Sequence, residues 1–228
     1  MPEFNLEALR DGYQVKLEIP EIQFREEGVT RRLKNGTISN ESYYRISIPG
    51  FANTVNMGLP EVMKSAFKLA IEDEIPSIEI SNLIEEKIIL AHRIYPSQGP
   101  VWYSAPKSEE SFHIDENYYS TDVEKTPYVS LSTPFIIRGQ KGVSVIFDPV
   151  KYNPGENLLT VARSFTVKFK MKKPSKVISM GSRLYDKYIR RIFQNLRGDL
   201  GALVRSTEFL QKENYLILTA DGLSLIHI

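Results

Sequence analysis

Tyr13, Val15, Leu17 and Ile19 alternate with Gln14, Lys16 and Glu18. Successive side chains of a strand point to opposite faces, so this stretch predicts a half-buried β-strand. "YYRISIPG" repeats the pattern with Tyr44, Ile46 and Ile48 and breaks at Pro49-Gly50. Between the two lies Asn35-Gly36, a strong short-hairpin signal. "MKSAFKLAI" is made of fair helix formers, yet Met63, Phe67, Leu69 and Ile71 fall on one period-2 face, which predicts a strand. "IEEKIILA", "YVSL", "PFIIRG" and "GVSVIFDP" read as further short strands. The longest is "LLTVARSFTVKFKM", with Leu159, Val161, Phe165, Val167, Phe169 and Met171 on one face and Arg163 as the exception. Many short alternating strands separated by Pro, Gly and Asn turns predict a mostly β chain, an antiparallel β-sandwich.

The period changes after Pro174. Tyr185, Tyr188, Ile189, Ile192, Phe193 and Leu196 recur at helical spacing among Arg and Lys. They predict a C-terminal amphipathic helix ended by Gly198 and Gly201. Tyr215 to Leu218 then form an apolar run followed by the turn signal Asp221-Gly222, the pattern of a first buried strand of an incomplete α/β domain. The expected organisation is an N-terminal lead at 1–10, a β-sandwich domain at 11–173, a helical tail and linker at 174–205, and the start of another domain at 206–228.

Composition narrows the chemistry. The chain has 228 residues, 42% of them hydrophobic, enough for a sizeable core. A net charge of +1 gives no field for nucleic acid, and no apolar run approaches the ~20 residues that span a bilayer. With no cysteine there is no disulfide, no thiolate metal site and no cysteine nucleophile. No P-loop, GxGxxG, GxSxG or HExxH occurs. His92, His113 and His227 are dispersed, and neither they nor the scattered acidic residues make a metal centre or a carboxylate pair. No cofactor and no catalytic residue is expected. "NGT" and "NES" match glycosylation acceptors but read as ordinary turns. "SAPKSEES" is the most loop-like stretch. On residues alone the chain reads as a non-catalytic β-sandwich bordering an α/β domain, an accessory domain preceding an enzyme. A non-inhibitory adhesion or carbohydrate-binding module of a surface protein is the alternative.

Several stretches resemble the gingipain-type propeptide that precedes C25 (caspase-like) cysteine peptidases: "YYRISIPGFANTVNMGLPEV", "YPSQGP", "TPFIIRGQKGVSVIFDPVKYNPGENLLTV" and "FTVKFK". The resemblance runs over residues ~11 to 195, and "NYLILTADG" is similar to the first strand of that peptidase domain. It implies an inhibitory and folding-assisting prodomain of a secreted or cell-surface bacterial cysteine endopeptidase. The partner would be the downstream peptidase domain of the same precursor. It also implies that the loop following "YPSQG" fills the peptidase's specificity pocket. In this chain that loop reads "PVWYSAPKSEESF", with Lys107 its only basic residue and Tyr103 near the pocket-filling position. The activating cleavage is expected in "RGDLGALVRSTEFLQKE", at Arg205 in preference to Arg197.

Overall fold

The computed structural model describes residues 4–32, 37–98, 112–121, 126–137, 139–172 and 183–199. In chain order the strands are β1 (Leu6–Leu9), β2 (Gly12–Glu18), β3 (Gln23–Arg32), β4 (Ile38–Ser47), β5 (Ala52–Asn53), β6 (Met63–Ala70), β7 (Ser77–Ile89) and β8 (Arg93–Ile94). A single-turn helix α1 (Glu116–Tyr119) follows, then β9 (Val129–Leu131), β10 (Phe135–Ile137), β11 (Gln140–Phe147), β12 (Val150–Asn153) and β13 (Leu158–Lys170). Helix α2 (Arg183–Ile192) passes into a 3-10 turn at Gln194–Asp199.

Three sheets result. In the first, β7 runs along one whole edge of β13, while β12 and then β2 share the other, and β1 pairs with β2. The second is centred on β11, with β6 on one edge and β9 and β10 on the other; β5 extends β6. The third is the β3–β4 hairpin with β8 parallel to β4.

The period-2 faces read from the sequence are the ones that turn inward. Val15, Leu17 and Ile19 are buried, as are Met63, Phe67, Leu69 and Ile71. They meet Phe165, Val167 and Phe169 of β13 and Val143, Val145 and Phe147 of β11 in one core. Rings from both sheets touch there: Phe67 lies 5.6 Å from Phe147 and 6.1 Å from Phe169, and Phe147 lies 6.3 Å from Phe165, centroid to centroid. Tilted and edge-on rings at these distances attract beyond their simple burial. This is a β-sandwich, with inner faces of two antiparallel sheets interleaved.

Arg163 breaks the alternation of β13 for a local reason. The pairing with β7 slips between Ala162 and Ser164 and again before Thr166. A bulge puts two residues opposite one, so the side-chain phase resets. Ala162 is therefore buried, and Arg163 turns out to an ion pair with Glu86.

Four features differ from the sequence expectation. The N-terminal lead is part of the sandwich: β1 pairs with β2, and Phe4 sits 4.9 Å from Phe67 and 5.1 Å from Phe147. β7 is far longer than "IEEKIILA" and mostly exposed, with Ile84 at 60% and Ile89 at 83%. Asn40 of "NES" lies within β4, not in a turn, and accepts a hydrogen bond from Thr30 at 2.8 Å. On α2, Ile189, Phe193 and Leu196 are buried as expected, but Tyr188 is 50% exposed. Asn35-Gly36, His227 and the run Tyr215–Leu218 lie outside the described residues.

The helical tail docks on the sandwich. Phe193 forms a parallel bridge with Lys68 and stacks on Phe135 at 6.3 Å. Asn195 donates to Ala70 O and accepts from Ala70 N, both at 2.8 Å, so its amide mimics a paired strand at the end of β6. Gln194 donates to Phe4 O at 2.6 Å, tying the chain's first and last described segments together.

Candidate functional site

Tyr103 and Lys107, the residues expected to act, lie outside the described residues. What the structure fixes is the ground they rise from: Pro96 to Gln98 on one side and Phe112 to Asp115 on the other.

Both sides converge on Gly58. Its N–H donates to Ser97 O at 2.7 Å, and its C=O accepts from Asp115 N at 3.0 Å. Gly58 has φ +79, and a Cβ there would lie 3.1 Å from Asp115 N, so the turn needs glycine. Ser97 N donates to Leu59 O at 2.8 Å, and Pro60 bridges Pro96. Asp115 caps α1 by accepting from Asn117 N and Tyr118 N. The buried Tyr119 donates its hydroxyl to Ile94 O at 2.6 Å, and burial holds that hydroxyl far above its ordinary pKa. Gln98 joins the two sides directly. Its amide donates to His113 O at 3.0 Å and accepts from His113 N at 2.8 Å.

An aromatic and ionic platform supports this base. Phe112 lies 5.5 Å from the Tyr43 ring and 5.7 Å from the Tyr95 ring. Arg45 stacks 3.6 Å above Tyr95 and pairs with both oxygens of Glu61, at 3.0 and 3.2 Å. Both bonds to Glu61 come from the one nitrogen Nη1, while the guanidinium lies over the Tyr95 ring, so the charge is held by an ion pair and a ring face together. Burial pushes the Glu61 carboxyl above its usual range, with Arg45 opposing the rise. Beside it, Glu41 accepts from Tyr43, Arg31 and Ser39. Desolvation works against the Glu41 charge, but these hydrogen bonds outweigh it and lower its pKa. Burial, then the Glu41 contact, raises the Tyr43 hydroxyl. Arg31 also reaches Glu116 at 3.0 Å, fastening α1 to the hairpin.

A groove of about 690 Å³ opens nearby between the Leu59–Pro60 turn, β12 and β13. Lys64 and Lys151 flank Asp148 there, at 3.2 and 2.9 Å, and burial lowers the Lys151 pKa. Burial likewise raises the Tyr152 hydroxyl in its wall to about 12. Among the described residues no group of three His, Asp or Glu could hold a metal ion. His92 lies on the β3–β4 side, 3.6 Å from Glu26 and against the Tyr44 ring. Nothing in this set pairs a nucleophile with a base.

Residues 15–200 match the C25 peptidase propeptide family (Propeptide_C25). The chain belongs to that family. The matched span takes in α2 and the 3-10 turn, so the docked helix is part of the propeptide. Two solved structures share the fold. The complex of Porphyromonas gingivalis RgpB pro- and mature domains has a TM-score of 0.64 at 21% identity, covering 86% of this chain and 99% of that one. A structure addressing zymogenic latency of gingipain K from the same organism has a TM-score of 0.56 at 17% identity, covering 75% and 93%. No curated protein matches the propeptide. Among the described residues no helix is long and apolar enough to cross a membrane.

Gly58 and Gln98 stand in stretches that carry the family resemblance, "YYRISIPGFANTVNMGLPEV" and "YPSQGP". Sequence reading gave neither its role here, because the bonds from Gly58 to Ser97 and Asp115 and from Gln98 to His113 are set only by the tertiary fold. Arg197 lies in the 3-10 turn directly after the buried Leu196, with its side chain outside the described residues; Arg205 lies outside them altogether.

Proposed function

We propose that this propeptide keeps a C25 cysteine endopeptidase latent, packing over the peptidase domain of its own precursor and placing the 99–111 segment in the specificity pocket. The observation that carries this is the construction of the base. Both ends of one long polar segment are fastened to a single glycine turn and braced by an aromatic–ionic platform. Long segments on rigid scaffolds are where recognition concentrates. The fold is shared with chains described in terms of pro- and mature-domain complex and zymogenic latency. The adhesion-module reading has no observation in its favour. The propeptide contains no cysteine, so the thiolate nucleophile belongs to the peptidase domain. A secreted or surface location follows from this role.

Tyr103 and Lys107 are the proposed anchors. A buried anchor side chain at an interface typically carries ~2 kcal/mol or more. Alanine at the residue that fills the pocket is therefore expected to weaken inhibition roughly 30-fold. Inhibition constants measured for Tyr103→Ala, Lys107→Ala and the double variant test this; three values equal to that of the parent chain would remove the anchor role.

Processing is proposed at Arg205. A protease needs its substrate locally extended, and the chain around Arg197 is committed elsewhere. Leu196 is buried, Asn195 holds both backbone groups of Ala70, and Arg190 donates to Leu196 O at 3.4 Å. Cleavage after Arg197 would have to open that anchor first. N-terminal sequencing of the mature enzyme is expected to begin at Ser206, and Arg205→Gln to leave the precursor uncut. A start at Gly198 would show that the anchor opens during activation.

A further inference from the structure

At the base of the 99–111 segment the main chain is already committed. Ser97 donates its N–H to Leu59 O and accepts from Gly58 N–H at its C=O, which holds the chain before Gln98 against the glycine turn. Gln98 reaches across to His113 with its side chain. A primary amide presents one acceptor and two N–H donors, the same kind of edge that a peptide group presents to a neighbouring strand. One donor and the acceptor engage the C=O and N–H of His113. The amide nitrogen also donates to Pro96 O at 2.7 Å, which fixes the rotamer that makes the other two bonds possible.

We propose that Gln98 is a positioning residue for inhibition, setting the separation and direction of the two ends of the 99–111 segment without touching the peptidase. This rests on the reading that the segment occupies the peptidase's pocket. The physical effect is preorganisation. A long connection whose ends are held at a fixed spacing has fewer conformations to lose on binding, so more of its contact energy appears as affinity. Removing the clamp leaves the fold intact, because Gly58, the Asp115 cap and the Phe112 ring contacts still hold the platform.

The test uses the whole chain against the active peptidase of its precursor. Gln98→Ala removes all three bonds. Gln98→Glu keeps the acceptor oxygens and loses the donors. Each is expected to raise the inhibition constant on the order of tenfold with the melting temperature nearly unchanged. Both are repeated in a chain whose 99–111 segment is replaced by a short Gly-Ser link. There the Gln98 substitutions are expected to add nothing, because no segment remains to be positioned. If the replaced chain inhibits poorly while Gln98→Ala inhibits like the parent, the positioning role is overturned and the pocket reading stands. An equal Gln98→Ala effect in both backgrounds also overturns it, since the residue then acts elsewhere. If replacing 99–111 leaves inhibition unchanged, the pocket reading itself fails and the role of Gln98 fails with it.

Discussion

Alanine in place of Phe193 is expected to cost about 3–5 kcal/mol of stability, the usual range for emptying a buried aromatic site. Phe193 is fully buried where α2 meets the sandwich, with the Phe135 ring on one side and β11 beneath. Its socket is Gly142. A Cβ on residue 142 would lie 2.2 Å from Phe193 Cε1, a distance no packed pair of carbons holds. Gly142→Ala should therefore also be strongly destabilising, through overpacking. The two substitutions should not add. With the ring gone, the methyl at 142 has room in the cavity, although Leu69 O at 2.9 Å still crowds it. The double variant is expected to be more stable than the sum of the single losses by about 1–3 kcal/mol. Urea unfolding of the four chains measures this. Strict additivity would mean that the ring does not occupy that socket. Limited proteolysis gives an independent readout: Phe193→Ala should expose residues 183–199 to cleavage while the strands stay protected.

The sandwich was legible in the sequence wherever a strand has one face in the core. There, packing demands alternation, and β2, β6 and, on either side of its bulge at Ala162–Ser164, β13 show it. Met63, Phe67, Leu69 and Ile71 illustrate the decision well, since their residue types suit a helix and only their spacing points to a strand. Legibility fails where packing stops imposing a pattern. β7 lies at the edge of its sheet, exposed along most of its length, with a left-handed residue at Asn82 (φ 54) in its middle. No alternation is required of it, and none can be read. Phe4 is a single aromatic ahead of the first strand, and nothing local says that it enters the core. The amphipathy of α2 was visible, but its docking place was not, because Gly142 looks like any other glycine in a strand. The platform was the least legible part. Arg45, Glu61, Tyr43 and Tyr95 come from β4, the β5–β6 connection and the stretch after β8, and only the tertiary fold brings them under Phe112.

Added in trans to the active peptidase of its own precursor, the propeptide is expected to abolish peptide hydrolysis almost completely. Its scaffold is preorganised by a shared core, a docked C-terminal helix and a fastened segment base, so little ordering cost opposes association. Pre-formed interfaces of ~1,600 Å² commonly reach nanomolar affinity, and protease–inhibitor pairs are among the tightest of that size. The chain alone should show no cysteine-peptidase activity, since it carries no cysteine nucleophile. A titration of nanomolar peptidase with the purified propeptide, followed by hydrolysis of a fluorogenic peptide, addresses the latency role directly. Activity should fall in near-stoichiometric proportion and stay suppressed until the propeptide is cut. Full activity at a micromolar excess of intact propeptide would contradict that role.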